Sequence, residues 1–172
     1  MKVSLLVRKI EKYVLHKLFL PAVYRFYSKA TIDEKLILFA DSKNSGIPFS
    51  MKPMYAEVQR QGFAAENWCV DFQETGLKQR LIYLVKFMRR LAQAKYVFIC
   101  DYFLPIASCQ KKEETKVIQL WHAGGMFKKF GYDTEDDLRG NTDLQVTRNI
   151  DLWTVSSECC IPVYEKACRL HR

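Results

Sequence analysis

The sequence is short of the residues that mark the commonest special classes. It holds only 7 Gly and 5 Pro in 172 residues, too few for a collagenous, low-complexity or linker-dominated chain. Its cysteines (Cys69, Cys100, Cys109, Cys159, Cys160, Cys168) form no C-x-x-C pair and no ladder of regular spacings. The adjacent Cys159 and Cys160 suit neither a structural bridge nor tetrahedral zinc, so no metal and no disulfide framework is expected. Several lie in apolar stretches, where cysteine acts as a small hydrophobe, and the usage fits a reducing, cytosolic compartment. No G-x-G-x-x-G or G-x-x-x-x-G-K-[ST] occurs, which disfavours dinucleotide and P-loop binding and leaves no cofactor implied. The longest uncharged apolar stretches, Val3–Val7 and Leu18–Tyr24, fall far short of the roughly 20 residues of a spanning helix. No small-residue cleavage site follows them, so a signal peptide is not expected.

What remains is a globular composition, 49% apolar and 27% charged, at a length that suits one domain. The formal charge of +8 calls for an anionic partner. That charge is unevenly placed. Residues 1–30 hold seven bases and one acid, whereas residues 31–172 hold 20 bases against 18 acids. The body is nearly neutral and lacks any RNP, helix-turn-helix or zinc-type pattern, so nucleic acid is not an expected partner.

On a helical wheel, Val3, Leu6, Val7, Ile10, Val14 and Leu18 share one side, and Lys2, Arg8, Lys9, Lys12 and His16 the other. This reads as a basic amphipathic helix over residues 1–30, broken at Pro21 and followed by Tyr24, Phe26 and Tyr27. Such a helix can lie in an anionic membrane surface, with Lys9, Lys12 and Lys17 toward headgroups. The alternative is a helix packed on its own domain with a solvated basic face. His16 reads as one more polar-face residue.

Beyond residue 31 short β-branched runs alternate with helical patterns. Strands are predicted at Lys35–Asp41, Trp68–Phe72, Tyr96–Asp101, Lys116–His122 and Asp151–Ser156. Helices are predicted from Pro53 to Arg60, over about 15 residues from Leu77, and from Glu158 to Arg169 with Ser156 or Ser157 as cap. Continuous apolar strands separated by helices imply an α/β fold, a Rossmann-like parallel sheet covered by helices on both faces. Ligands in such a sheet sit beyond the carboxyl ends of the strands. That selects Asp41–Gly46, Asp101–Pro105, His122–Gly131 and Ser156–Glu158. In the third segment His122 ends a strand, Gly124 and Gly125 allow close backbone approach, and Lys128 and Lys129 add charge for an anion. A histidine there can serve as general base or, equally, cap the strand as a hydrogen-bonded structural group.

Leu120-Trp121-His122-Ala123-Gly124-Gly125-Met126-Phe127-Lys128-Lys129-Phe130-Gly131 resembles the first histidine motif of the CDP-glycerol glycerophosphotransferases, the teichoic-acid primases and polymerases. FADSKNSGIPFSMKPMYAEVQRQG (39–62), YVFICDYFLP (96–105) and DLWTVSSE (151–158) resemble the same family, so the likeness covers most of residues 35–170. It implies the N-terminal half of a GT-B-like fold, with the nucleotide-binding domain and a second essential histidine absent. His171 stands in no matching context. The implied reaction transfers glycerol phosphate from CDP-glycerol to a hydroxyl of a lipid-linked polyol-phosphate acceptor at the cytoplasmic face of the cell membrane, releasing CMP. His122 would be the base, Lys128 and Lys129 phosphate contacts, and Asn44, Gly46 and Asp101 cleft residues. The expected organisation is a membrane-associating helix over 1–30 and a Rossmann-like domain over 31–172, with little turnover from this half alone. A non-catalytic peripheral membrane module that binds anionic lipid or polymer is the competing reading.

Overall fold

The computed structural model describes residues 10–122, 128–134 and 147–170. Five strands form one sheet in the order β2-β1-β3-β4-β5, and every neighbouring pair is parallel. They are β1 (Asp33–Asp41), β2 (Ala64–Cys69), β3 (Ala94–Ile99), β4 (Lys116–Gln119) and β5 (Leu152–Trp153). The helices are α1 (Leu20–Tyr27), α2 (Lys52–Arg60), α3 (Leu77–Leu91), α4 (Leu104–Ala107) and α5 (Ile161–Cys168). The expected α/β architecture is therefore present.

Sequence periodicity explains the layers. In β1 the run Leu36–Asp41 is buried throughout, because a central parallel strand is covered on both faces. Leu36, Leu38 and Ala40 point to one core with Leu84, Phe87, Met88 and Leu91 of α3. Ile37 and Phe39 point to the other, with Met51 and with Val58 of α2. The α3 spacing of i, i+3, i+4 and i+7 presents one apolar stripe to the sheet, and each such side chain contributes roughly 1.5–3 kcal/mol on burial. A third cluster packs Trp121, Phe130 and Tyr164 beside Trp153 at the β5 end.

Several boundaries differ from the predicted ones. β2 begins at Ala64 and ends at Cys69, earlier than Trp68–Phe72, because Ala64–Cys69 pairs in register with Leu36–Asp41. β4 stops at Gln119, and β5 is only Leu152–Trp153. The last helix opens with a 3-10 turn, Glu158–Cys160, and Ser157 makes no side-chain cap bond. It ends at Cys168, one residue short of the predicted end, with Arg169 in the left-handed region at φ 52.

The N-terminal arm departs furthest. Pro21 does not break the helix. Residues 10–13 are α-helical, Val14–Phe19 form a π-turn, and α1 follows directly. Leu20 N–H donates to Leu15 C=O, a five-residue step, and Pro21 then sits in the first turn of α1, where its missing N–H is not needed. The inserted residue swings His16 inward. His16 is buried at 7% exposure, not on a solvated polar face, and its Nδ1 lies 2.6 Å from Ser108 Oγ. Ser108 Oγ donates in turn to Leu104 C=O, so Nδ1–H is the donor to Ser108. Burial, with the nearby Lys12 charge, pushes the His16 pKa down to about 4. Leu20 and Tyr24 follow His16 one and two turns on and pack into the α3 core. Ile10, Val14, Leu18 and Phe26 remain exposed. No helix among the described residues is long and apolar enough to cross a membrane.

Candidate active site

The sheet order reverses direction between β1 and β3, and the crevice beyond their carboxyl ends is where this architecture binds ligands. Both strands end on an apolar run followed by an aspartate, Asp41 and Asp101. Asp41 is 2% exposed. Its Oδ1 accepts from Lys43 N–H at 2.7 Å and Asn44 Nδ2 at 2.8 Å, and its Oδ2 from the Cys100 thiol at 3.1 Å. A carboxylate so fully engaged sets the turn after β1; it is a positioning group. Burial, reinforced by the Asp41 charge and hydrogen bond, pushes the Cys100 thiol well above the ordinary range, so Cys100 is held as a neutral donor.

Asp101 accepts from Tyr102 N–H at 2.7 Å and forms an ion pair with Lys43. The Lys43 side chain is 64% exposed, so a cation stands at the mouth of the crevice, its backbone N–H held by Asp41 and its ammonium by Asp101.

His122 completes the group from β4. Its Nδ1 lies 3.1 Å from Cys100 C=O. A carbonyl can only accept, so Nδ1 carries the proton and Nε2 keeps its lone pair in the neutral ring. The ring is exposed and stacks on Trp121 at 4.8 Å and 27°. Trp121 has φ 60, a left-handed conformation that costs a bulky residue roughly 1–2 kcal/mol. Phe130 and Tyr164 pack on Trp121 at 5.4 and 5.7 Å and hold it there. The chain thus turns sharply after β4 and presents the imidazole, bonded through Nδ1 to Cys100 C=O, at the carboxyl edge.

Of the sequence-predicted residues, Asn44, Asp101 and His122 come together through Asp41, Lys43 and Cys100. Gly46 lies on the same β1 loop with open space around its Cα. Lys128 and Lys129 are exposed and, among the described residues, bond to none of this group. Gly124, Gly125, Lys9 and His171 lie outside the described residues. Sequence reasoning held Asp41 and Lys43 only as members of the candidate segment Asp41–Gly46 and did not single out Cys100; the repeated strand-end aspartate in KLILFAD and YVFICD is the signal that marks them. Among the described residues no cluster of three His, Cys, Asp or Glu could hold a metal ion.

Residues 22–172 match the family model of the CDP-glycerol:poly(glycerophosphate) glycerophosphotransferases. The chain belongs to this family. Among curated proteins, the teichoic acid ribitol-phosphate primase of Bacillus spizizenii (strain ATCC 23059 / NRRL B-14472 / W23) is 33% identical over 102 residues, covering 55% of this chain and 26% of that protein. The teichoic acid glycerol-phosphate primase of Bacillus subtilis (strain 168) is 33% identical over 91 residues, covering 50% of this chain and 24% of that protein. The chain thus spans about a quarter of the length of these curated relatives. Among solved structures, a histidine-to-asparagine variant of the wall teichoic acid polymerase TagF superposes with a TM-score of 0.63 at 13% identity, covering 96% of this chain and 43% of that one. Over 96% of its length this glycerophosphotransferase-family chain thus shares the α/β fold of the matched 43% of that polymerase.

Proposed function

We propose that the chain supplies the acceptor-side half of a teichoic-acid-type transferase that moves glycerol phosphate from CDP-glycerol to a lipid-linked polyol-phosphate acceptor. The observation that carries this is the tautomer of His122: with Nδ1–H given to Cys100 C=O, Nε2 is the free base at the ligand-binding edge. In the step, Nε2 takes the acceptor hydroxyl proton while that oxygen bonds to the β-phosphorus of the donor. The bond from the β-phosphorus to its bridging oxygen breaks, and CMP departs with the electron pair. Phosphoryl transfer depends chiefly on positioning and on charge stabilisation. Lys43 is placed at the crevice for the second task, and Lys128 and Lys129 are further phosphate contacts by family likeness. Nucleotide binding belongs mainly to a partner half.

The test is CMP release from CDP-glycerol in the presence of vesicles carrying lipid-linked glycerol phosphate, using the full chain alone and supplemented with the nucleotide-binding half of a relative. Removing a general base lowers transfer by roughly 10²–10⁴-fold, the expected result for His122→Ala in the supplemented reaction. Full activity in that variant eliminates the base assignment. No release in either setting eliminates the transferase reading.

The protein is further proposed to work as a peripheral protein at the cytoplasmic face of the cell membrane. The support is the exposed apolar row Ile10, Val14 and Leu18 on a segment that also carries Lys12 and Lys17, the arrangement of an interfacial helix. Vesicle binding should require phosphatidylglycerol and weaken with salt, and Lys12→Glu with Lys17→Glu should reduce it. Equal binding to neutral vesicles by both proteins contradicts this localisation.

A further inference from the structure

The arm and α3 do not close on one another along their whole length. Between them runs a groove of about 820 Å³, within the roughly 300–1,000 Å³ of small-molecule sites. One wall is Ile10, Val14 and Phe19, the other Leu77, Leu81 and Leu84, with Leu104 and Pro105 between. Ile10, Val14 and Leu77 are 54%, 47% and 68% exposed, so apolar surface from two separate elements is left facing one hollow. Lys12 and Arg80 also line it. Arg80 donates from one Nη to Phe72 C=O and Thr75 C=O, yet its buried Nε–H has no partner.

We infer that this groove receives one acyl chain of an anionic membrane phospholipid, with the lipid phosphate against Lys12 and Arg80. The inference rests on the peripheral-membrane reading above and adds to it a discrete lipid site. Two features select the occupant. The walls are mainly aliphatic, with Phe19 and Phe72 among them, which suits a hydrocarbon chain, and the charged lining sets two cations, Lys12 and Arg80, against the one carboxylate Glu11, a net positive balance that complements a phosphate. The same helix turns Leu18 outward, so a protein resting on a bilayer through that face presents the groove to the lipid layer. Ser42 lines the groove and precedes Lys43 of the crevice. A lipid seated there therefore fixes the crevice relative to the membrane that carries the acceptor.

The experiment is photolabelling of the full chain on phosphatidylcholine vesicles containing phosphatidylglycerol with a diazirine in one acyl chain. Adducts are mapped by peptide mass spectrometry. The expected adducts fall on Leu77–Leu84 and on Leu104. Val14→Trp, which fills the groove from an exposed position, should lower their yield about tenfold, as loss of one or two buried methylene contacts would. Because Val14 also belongs to the exposed apolar row, adduct yield is normalised to the co-sedimented protein. Leu77→Lys, at a still more exposed position, should act in the same direction. Adducts confined to Leu18 and Phe26, or labelling unchanged in both variants, overturn the groove while leaving membrane binding intact. Labelling that appears only after deletion of residues 1–9 shows that the chain's own segment occupies the groove, and cross-linked dimers through Leu77–Leu84 show a second copy; either overturns the inference. If the chain does not bind vesicles, the localisation falls. The groove is then decided by the monomeric lyso form of the same probe, whose adducts on α3 support it and whose absence there refutes it.

Discussion

Acidification should loosen the N-terminal arm through one residue, His16. An unfolded histidine has a pKa near 6.5, and burial beside Lys12 lowers it to about 4 in the folded protein. For a base with a depressed folded-state pKa, the unfolded chain takes up its proton first. The stability tied to the neutral ring is complete above the unfolded value and is lost as pH falls from there toward the folded value. Each unit of separation corresponds to about 1.36 kcal/mol, so the whole window costs about 3 kcal/mol. That is a large share of the roughly 5–15 kcal/mol that stabilises an ordinary domain. The perturbation is His16→Asn, which keeps a nitrogen donor toward Ser108 Oγ but cannot titrate. Urea unfolding of both proteins, followed by tryptophan fluorescence from about pH 7 down to about pH 4.5, isolates the histidine, because the carboxylates contribute equally to both. The wild type should lose about 2–3 kcal/mol more than the variant across that range. Parallel losses would refute the buried, neutral assignment of His16.

Three further outcomes follow from packing and chemistry. Gly131 has φ +64, and an added Cβ would meet Ala167 C=O at 2.3 Å; Gly131→Ala should destabilise by about 2–4 kcal/mol and lower Tm by roughly 5–10 °C in a thermal melt. Phe87 is fully buried with Phe103 edge-on at 5.0 Å, so Phe87→Ala should cost about 3–5 kcal/mol in denaturant unfolding. Among the cysteines only Cys159 is exposed, and burial pushes the Cys69 and Cys109 thiols up to about 12. A thiol-titrating disulfide reagent should therefore modify one thiol quickly in the native protein and all six only after denaturation.

The sequence carried the sheet well because its strands are central and parallel. LILFA is apolar on both faces, a pattern that few other environments produce. It carried β5 poorly, since two residues paired at a sheet edge leave almost no periodic signal. The arm was misread for a different reason. A wheel at 3.6 residues per turn places His16 opposite Val14 and Leu18, but a π-turn alters the period locally, and the contact that rewards it, His16 Nδ1 to Ser108 Oγ, spans 92 residues of chain. In the site, His122 and Asp101 were legible from chemistry at strand ends. The binding of Asp41 to Cys100 joins residues 59 apart in the chain, and the His122 tautomer depends on a carbonyl 22 residues away. Neither distance leaves a mark on local sequence.

The left-handed turn at Trp121 has a consequence for how the imidazole is aimed. A backbone in that region relaxes readily toward extended geometry unless its side chain is clamped, and here the clamp is Phe130 and Tyr164. The direction of the His122 ring is thus under remote mechanical control by α5, although His122 itself leans on β3 and on Trp121. Any change that lets the C-terminal helix drift would slacken that clamp and swing the imidazole away from the crevice with every other crevice residue still in place. Under the proposed mechanism, a lesion in α5 would then look like a chemical defect while being one of posture.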